Sequence, residues 1–190
     1  MAFKISKVMG KENLDSMQVA LIADYPLEKR DYKPYAQCVM CFSENELVLR
    51  MWAFEVSTAQ ESCLAASLYL FAKEPDTSLC LEMSANGNAR GFLSRDGIIA
   101  EESEFDLEMR PYIGEDLQGV YWGGTLRVPY EKLAGFGGWV ELKAGDHFIG
   151  NFFKICNHAP FEHLGSFFSA DFSLPHYSKK NMGRLEVVGY

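Results

Sequence analysis

Glu46–Val56 (ELVLRMWAFEV) is the stretch that decides the fold. Its apolar residues repeat with a period of two. Leu47, Leu49, Met51 and Ala53 fall on one face of an extended chain, and Val48, Arg50, Trp52, Phe54 and Val56 on the other, because successive strand side chains point to opposite sides. Both faces are largely apolar, which predicts a strand in the middle of a sheet. Residues 104–109 (EFDLEM) alternate more cleanly, with Phe105, Leu107 and Met109 facing in and Glu104, Asp106 and Glu108 facing out. That pattern predicts a half-exposed antiparallel strand. Working outward, strands are predicted at 36–42, 67–73, 78–84, 89–94, 119–128, 147–156 and 184–188. Asn86-Gly87 lies between two of them and signals a hairpin, since a tight turn of this type needs positive φ. Only 11–23 and 58–66 have room for a helical turn or two. Short strands with regular Gly, Pro, Asn and Asp punctuation predict an all-β fold, an antiparallel β-sandwich of jelly-roll type. No internal repeat or low-complexity linker divides the chain, so residues 1–190 are expected to form a single domain.

Bulk properties narrow the function. Hydrophobic residues make up 48% and charged residues 23% of the chain, the balance of a soluble globular protein. The net charge of −8, with no run of Lys or Arg, argues against nucleic acid, because a binder must neutralise phosphates. No apolar run approaches the ~20 residues that span a bilayer, so no membrane partner is expected. The N-terminal residues MAFKISKVMGKENLDSM lack the apolar core of a signal peptide. As written the chain reads as cytoplasmic; with a leader already cleaved it would read as secreted. The cysteines are five, an odd number, and mostly sit in apolar segments (Cys38, Cys41, Cys80, Cys156). That suits reduced buried thiols better than a disulfide framework.

Several residue sets invite chemistry. Cys38-Val-Met-Cys41 is a C-x-x-C, and His158 and His163 have the spacing of the second half of a zinc finger. On a strand, however, an offset of three puts the two thiols on opposite faces. All four histidines, His147, His158, His163 and His176, fall within one stretch near the C-terminus without forming H-x-x-x-H. They read as loop or surface residues rather than zinc ligands. Glu104, Asp106 and Glu108 place carboxylates on one strand face, where solvent is the expected neighbour. Acidic loops such as Glu101-Glu102-Ser103-Glu104 offer oxygen ligands and leave calcium open as a ligand, without the ordered spacing of a dedicated loop. Aromatic residues are the stronger signal, since sugar rings stack their C–H faces on exposed rings while amides, Arg and carboxylates bond the hydroxyls. Trp52 lies beside Arg50 in the central strand, Trp122 lies in YWGGTLRVP, and Trp139 follows Gly137-Gly138. Core packing is the default for Trp52 and Trp122; Trp139 is the candidate for an exposed role.

Three segments carry a family resemblance. Leu68–Met83 (LYLFAKEPDTSLCLEM) runs into Ser-Ala-Asn-Gly; Tyr121–Leu133 (YWGGTLRVPYEKL) passes from a Trp strand into Val-Pro and a turn; Asn151–Val187 joins Asn-Phe-x-Lys, a polar loop, Gly165-Ser-Phe-Phe-Ser and a closing strand. In this order the segments, covering about residues 45–188, resemble the family 9 carbohydrate-binding modules and their stand-alone relatives. The resemblance implies a β-sandwich that binds sugars without catalysis, often with calcium, and often beside a glycoside hydrolase. It also implies a clamp of two tryptophans on a terminal sugar, with Arg, Asn and acidic partners. Asn157 falls near the family's loop asparagine, and Phe161, rather than Trp, follows it. Trp52 and Arg90 are the counterparts for the first clamp tryptophan and the sugar-binding arginine.

The expected function is therefore non-catalytic binding of a saccharide, or a saccharide-like small molecule, in a cleft near the 157–168 loop. The expected ligand-binding residues are Trp139, Asn157, His158, Phe161, Trp52 and Arg90, with rings stacking and polar groups bonding hydroxyls. No catalytic residue, metal ligand or required cofactor is assigned. Two alternatives stand: a small sugar-acting hydrolase using an Asp/Glu pair, and an interaction module without a small-molecule site.

Overall fold

The computed structural model describes residues 2–101 and 103–189. Its strands are β1 (Phe3–Lys7), β2 (Ala20–Ile22), β3 (Tyr35–Phe42), β4 (Glu46–Glu55), β5 (Cys63–Tyr69), β6 (Thr77–Ser84), β7 (Ala89–Arg95), β8 (Ile98–Ile99), β9 (Phe105–Asp106), β10 (Glu108–Asp116), β11 (Gly119–Pro129), β12 (His147–Cys156), β13 (His163–Ser166) and β14 (Gly183–Gly189). One short helix, α1 (Tyr130–Gly135), follows β11. The strands pair in the order β10-β11-β4-β3-β1-β14-β12-β5-β6-β7-β8, with β2 on β3, β13 on β12 and β9 on β7.

The sheet is mixed rather than purely antiparallel. β1 runs parallel to both β14 and β3, while the other pairs are antiparallel. The exception lies where the chain's first and last strands meet. No hairpin joins them, so no turn imposes opposite directions. β1 and β14 thereby form the seam between two halves of a curled sheet, β10-β11-β4-β3 and β12-β5-β6-β7. The inner faces of the halves meet in one core that includes Leu47, Leu49, Met51, Leu64, Ala66, Leu68, Leu81, Trp122 and Phe152.

β4 is central, as its pattern predicts. Leu47, Leu49, Met51 and Ala53 are fully buried. On its other face only Val48 is buried; Arg50, Trp52 and Phe54 are half-covered and Val56 is exposed. Cys38 joins the main core and Cys41 a second small cluster on the opposite face of β3. The Asn86-Gly87 turn joins β6 to β7, with Gly87 at φ +90° donating its N–H to the Ser84 carbonyl. All five thiols are free.

Of the two helical expectations, the one at 58–66 fails. Residues 58–66 hold the start of β5, where Ala65 and Ala66 are fully buried between β6 and β12. Burial on both faces overrides the helical preference of alanine. Segment 11–23 holds only a 3-10 turn, Leu14–Ser16, capped by the Asn13 side chain, followed by β2. The strand expected at 67–73 lies four residues earlier, and that expected at 104–109 breaks into β9 and the long β10. β10 continues through Pro111 because it is an edge strand, where a missing N–H leaves no neighbour unpaired.

Candidate functional site

The outer face of β5, β6 and β7 carries the main concentration of polar side chains facing a hollow. Strand parity turns Leu79, Leu81 and Met83 of β6 into the core, so Glu82 and Ser84 face out. Arg90 of β7 is the paired neighbour of Glu82. Its Nε donates to Glu82 Oε2 at 2.8 Å, and its other arm reaches Glu104 at 2.9 Å. From the far side His176 Nε2 comes within 3.2 Å of Glu82 Oε1. Burial would raise the Glu82 pKa, but the His176 and Arg90 contacts outweigh it and hold the carboxyl below its usual range. Glu82 is therefore an anion on the wall of the hollow, held between Arg90 and His176.

A buried asparagine pair positions His176. Asn151, fully buried on β12, donates to the carbonyls of Phe168 (2.9 Å) and Asn181 (2.7 Å) and accepts from the Phe168 N–H. Asn181 donates to the carbonyls of Asp171 and Pro175 and accepts from the Asp171 N–H. These bonds fix the segment 167–181. The His176 ring then packs on Phe153 at 5.4 Å and Tyr177 at 4.9 Å.

The loop 157–163 is anchored by a buried charged network. Lys154 on β12 is fully buried, and its three N–H donors have three partners: Glu55 at 3.1 Å, the Ser62 hydroxyl, and His163 Nε2 at 2.7 Å. Glu55 also accepts from Ser62 (3.0 Å) and from the Trp122 indole N–H (2.6 Å). His163 Nδ1 donates to the Phe161 carbonyl at 2.7 Å, which leaves Nε2 as the acceptor for Lys154. Burial and the Lys154 charge push the His163 pKa down to about 4, so the ring is neutral. The network fastens the loop to both halves of the sheet. Glu55 is only 2% exposed, so its carboxylate is closed off from a ligand and acts as a strut; only the His163 ring reaches a pocket wall, beside Arg30 and Pro160. On the loop's other side Arg30 pairs with Glu28 and donates to the carbonyls of Pro160 and Glu162.

Between these supports lies a groove. Two pockets of about 380 and 410 Å³ share Glu61, Cys63 and Glu82. The first is completed by Ile155, Asn157, His158 and His176, the second by Ser84, Asn86, Asn88, Ala89 and Arg90. The floor is apolar, formed by the half-buried Cys63 and Ile155, and the walls are polar. Burial pushes the Cys63 thiol up to about 12, so it stays protonated and serves as an apolar surface, not a nucleophile. A more apolar hollow of about 300 Å³ lies between β10–β11 and the Asn86-Gly87 turn, lined by Met83, Met109, Ile113 and Trp122 without a charged group.

Three of the six expected ligand residues, Arg90, Asn157 and His158, line this one groove. The other three do not. Trp52 stacks on Tyr35 (5.0 Å) and near Tyr121 (6.2 Å) on the outer face of the opposite half. Trp139 lies against Tyr130 at 4.8 Å beside α1. Phe161 supplies its carbonyl to His163, but its ring lines none of the pockets. Sequence reasoning missed Glu82, His176, Glu61 and Cys63. Glu82 had a signal, a lone charge inside the apolar run TSLCLEM. Among the described residues no group of three or more His, Cys, Asp or Glu side chains is placed to hold a metal ion. Glu102, part of the acidic loop considered for calcium, lies outside the described residues.

No family model and no curated protein sequence matches the chain. Solved structures do. One is a candidate carbohydrate-binding protein from Bacteroides uniformis ATCC 8492, with 15% identity over 98% of both chains and a TM-score of 0.68. Another is a family 9 carbohydrate-binding module from Caldicellulosiruptor kristjanssonii in complex with glucose, with 9% identity over 98% of this chain and 96% of that one, TM-score 0.59. The third is a module of the same family and organism in complex with cellotriose, with 9% identity over 100% and 95%, TM-score 0.62. In fold, this chain resembles the family 9 carbohydrate-binding modules.

Proposed function

We propose that the chain binds a saccharide, without catalysis, in the groove formed by β5, β6, β7 and the 157–163 loop. The observation that carries this reading is the groove's construction. An apolar floor of Cys63 and Ile155 suits the C–H face of a sugar, and Glu82, Arg90, Asn157 and His158 stand around it as hydroxyl partners. Pockets of a few hundred Å³ with a small number of fixed polar groups are the usual form of a small-molecule site. The fold supports the same ligand class, since two structural neighbours are in complex with glucose and cellotriose. Hydrolysis would need one carboxyl kept protonated as the acid. Arg90 and His176 hold Glu82 in the opposite state, so it does not supply that acid. The test is a glycan array followed by calorimetry on the wild type and on Arg90→Ala and Asn157→Ala. Binding that the variants weaken is expected; a folded wild type that binds no sugar at millimolar concentration would overturn the proposal.

A further inference from the structure

Resting on the saccharide reading, we infer that the groove takes a linear oligosaccharide of at least three units lying across the strands, rather than one terminal sugar. A third pocket, of about 450 Å³, continues the groove beyond Asn157, which lines both it and the first pocket. It is bounded by Leu27, Arg30, Pro160, Glu162 and Leu164. The three pockets follow one row of outward-facing residues on neighbouring strands. Ser84 of β6 pairs with Cys63 of β5, Cys63 with Ile155 of β12, and Ile155 with Leu164 of β13. Four strands at their usual spacing set that row ~14 Å long, the length of a trisaccharide.

The chemistry along the row is repeated rather than concentrated. Each pocket has polar side chains on its walls: Arg90 and Asn88 at one end, Glu82 and His158 in the middle, Glu162 at the other. No Phe, Tyr or Trp lines any of the three. A site for one terminal sugar concentrates its contacts on a single ring. Here a single ring would meet only part of the row, and a longer chain gains a fresh set of hydroxyl partners at each step. The far pocket is also pre-formed, because Arg30 ties the Glu28 carboxylate to the Pro160 and Glu162 carbonyls. Asn157, at the junction, makes no side-chain hydrogen bond within the described residues and is free to bond the central unit.

The test is calorimetry on the full chain with cello-, xylo- and manno-oligosaccharides of one to six units, reading the length series in whichever backbone binds. Affinity is expected to tighten tenfold or more from one unit to three and then to level. The trisaccharide capped as its methyl glycoside is expected to bind as well as the free sugar. Equal affinity for one and three units would overturn the extended ligand and leave saccharide binding standing. A folded chain that binds none of the series would overturn both.

Discussion

Lys154→Met tests the strut beneath the groove. The ammonium is fully buried, with Glu55, Ser62 and His163 on its three donors. Methionine nearly matches the stem in volume, so the loss is electrostatic rather than a cavity. Glu55 keeps two neutral donors, Trp122 and Ser62, but its charge is left unpaired at 2% exposure. Stranding one member of a buried ion pair costs ~3–5 kcal/mol, a large share of the ~5–15 kcal/mol that holds a typical domain folded. At ~2–4 °C per kcal/mol for a chain of this size, the midpoint is expected to fall by ~6–20 °C. The assays are thermal unfolding for the midpoint and urea unfolding for the free energy, both followed by tryptophan fluorescence, since the Lys154 ammonium sits 5.2 Å from the Trp122 ring. The control is Glu55→Gln with Lys154→Met. It removes both charges and keeps an acceptor for Trp122, so it is expected to recover most of the loss. A single variant that loses under ~1 kcal/mol, well short of that range, or a double variant no more stable than the single, would refute the strut.

Other consequences follow from the same geometry. Arg90→Ala is expected to weaken saccharide binding ~10–100-fold, the worth of one charge-assisted hydrogen bond at ~1.5–3 kcal/mol, with calorimetry as the check. His163 is neutral in the fold with a pKa near 4, below the ~6.5 of an unfolded histidine. The unfolded chain therefore takes the proton first. Stability is expected to be complete above ~6.5 and to fall as the pH drops toward 4, where burial and Lys154 set the folded value. His163→Gln should flatten that limb of a pH–denaturation series. Gly123→Ala should cost stability, because a Cβ there would stand 2.2 Å from the Met51 carbonyl oxygen and 2.6 Å from Trp52 Cα. Backbone cannot yield as a flexible side chain can, so ~2 kcal/mol or more is expected by thermal unfolding.

What the sequence determined by itself is the local order. Alternation in 46–56 marked a central strand, Asn86-Gly87 a hairpin, and the apolar settings of Cys38, Cys41, Cys80 and Cys156 buried thiols; the structure has each. Parity along one strand is a local quantity, so it is readable without the fold. Tertiary structure alone decided which faces meet. Trp52 and Arg90 are both outward residues of their strands, yet they lie on opposite outer surfaces of the curled sheet, since one belongs to β4 and the other to β7. Glu82 and Arg90 are eight residues apart and joined by hairpin register, whereas His176 and Asn157 reach them only through the 167–181 segment and the 157–163 loop. Lys154 shares a face with Phe148 and Phe152, which by pattern alone would make it a misplaced charge; only the opposing strand supplies Glu55. The parallel placement of β1 is likewise invisible locally, because it depends on where the last strand comes to rest. Side-chain alternation tells each residue which way it points, but partners far apart in sequence are chosen by the curl of the whole sheet.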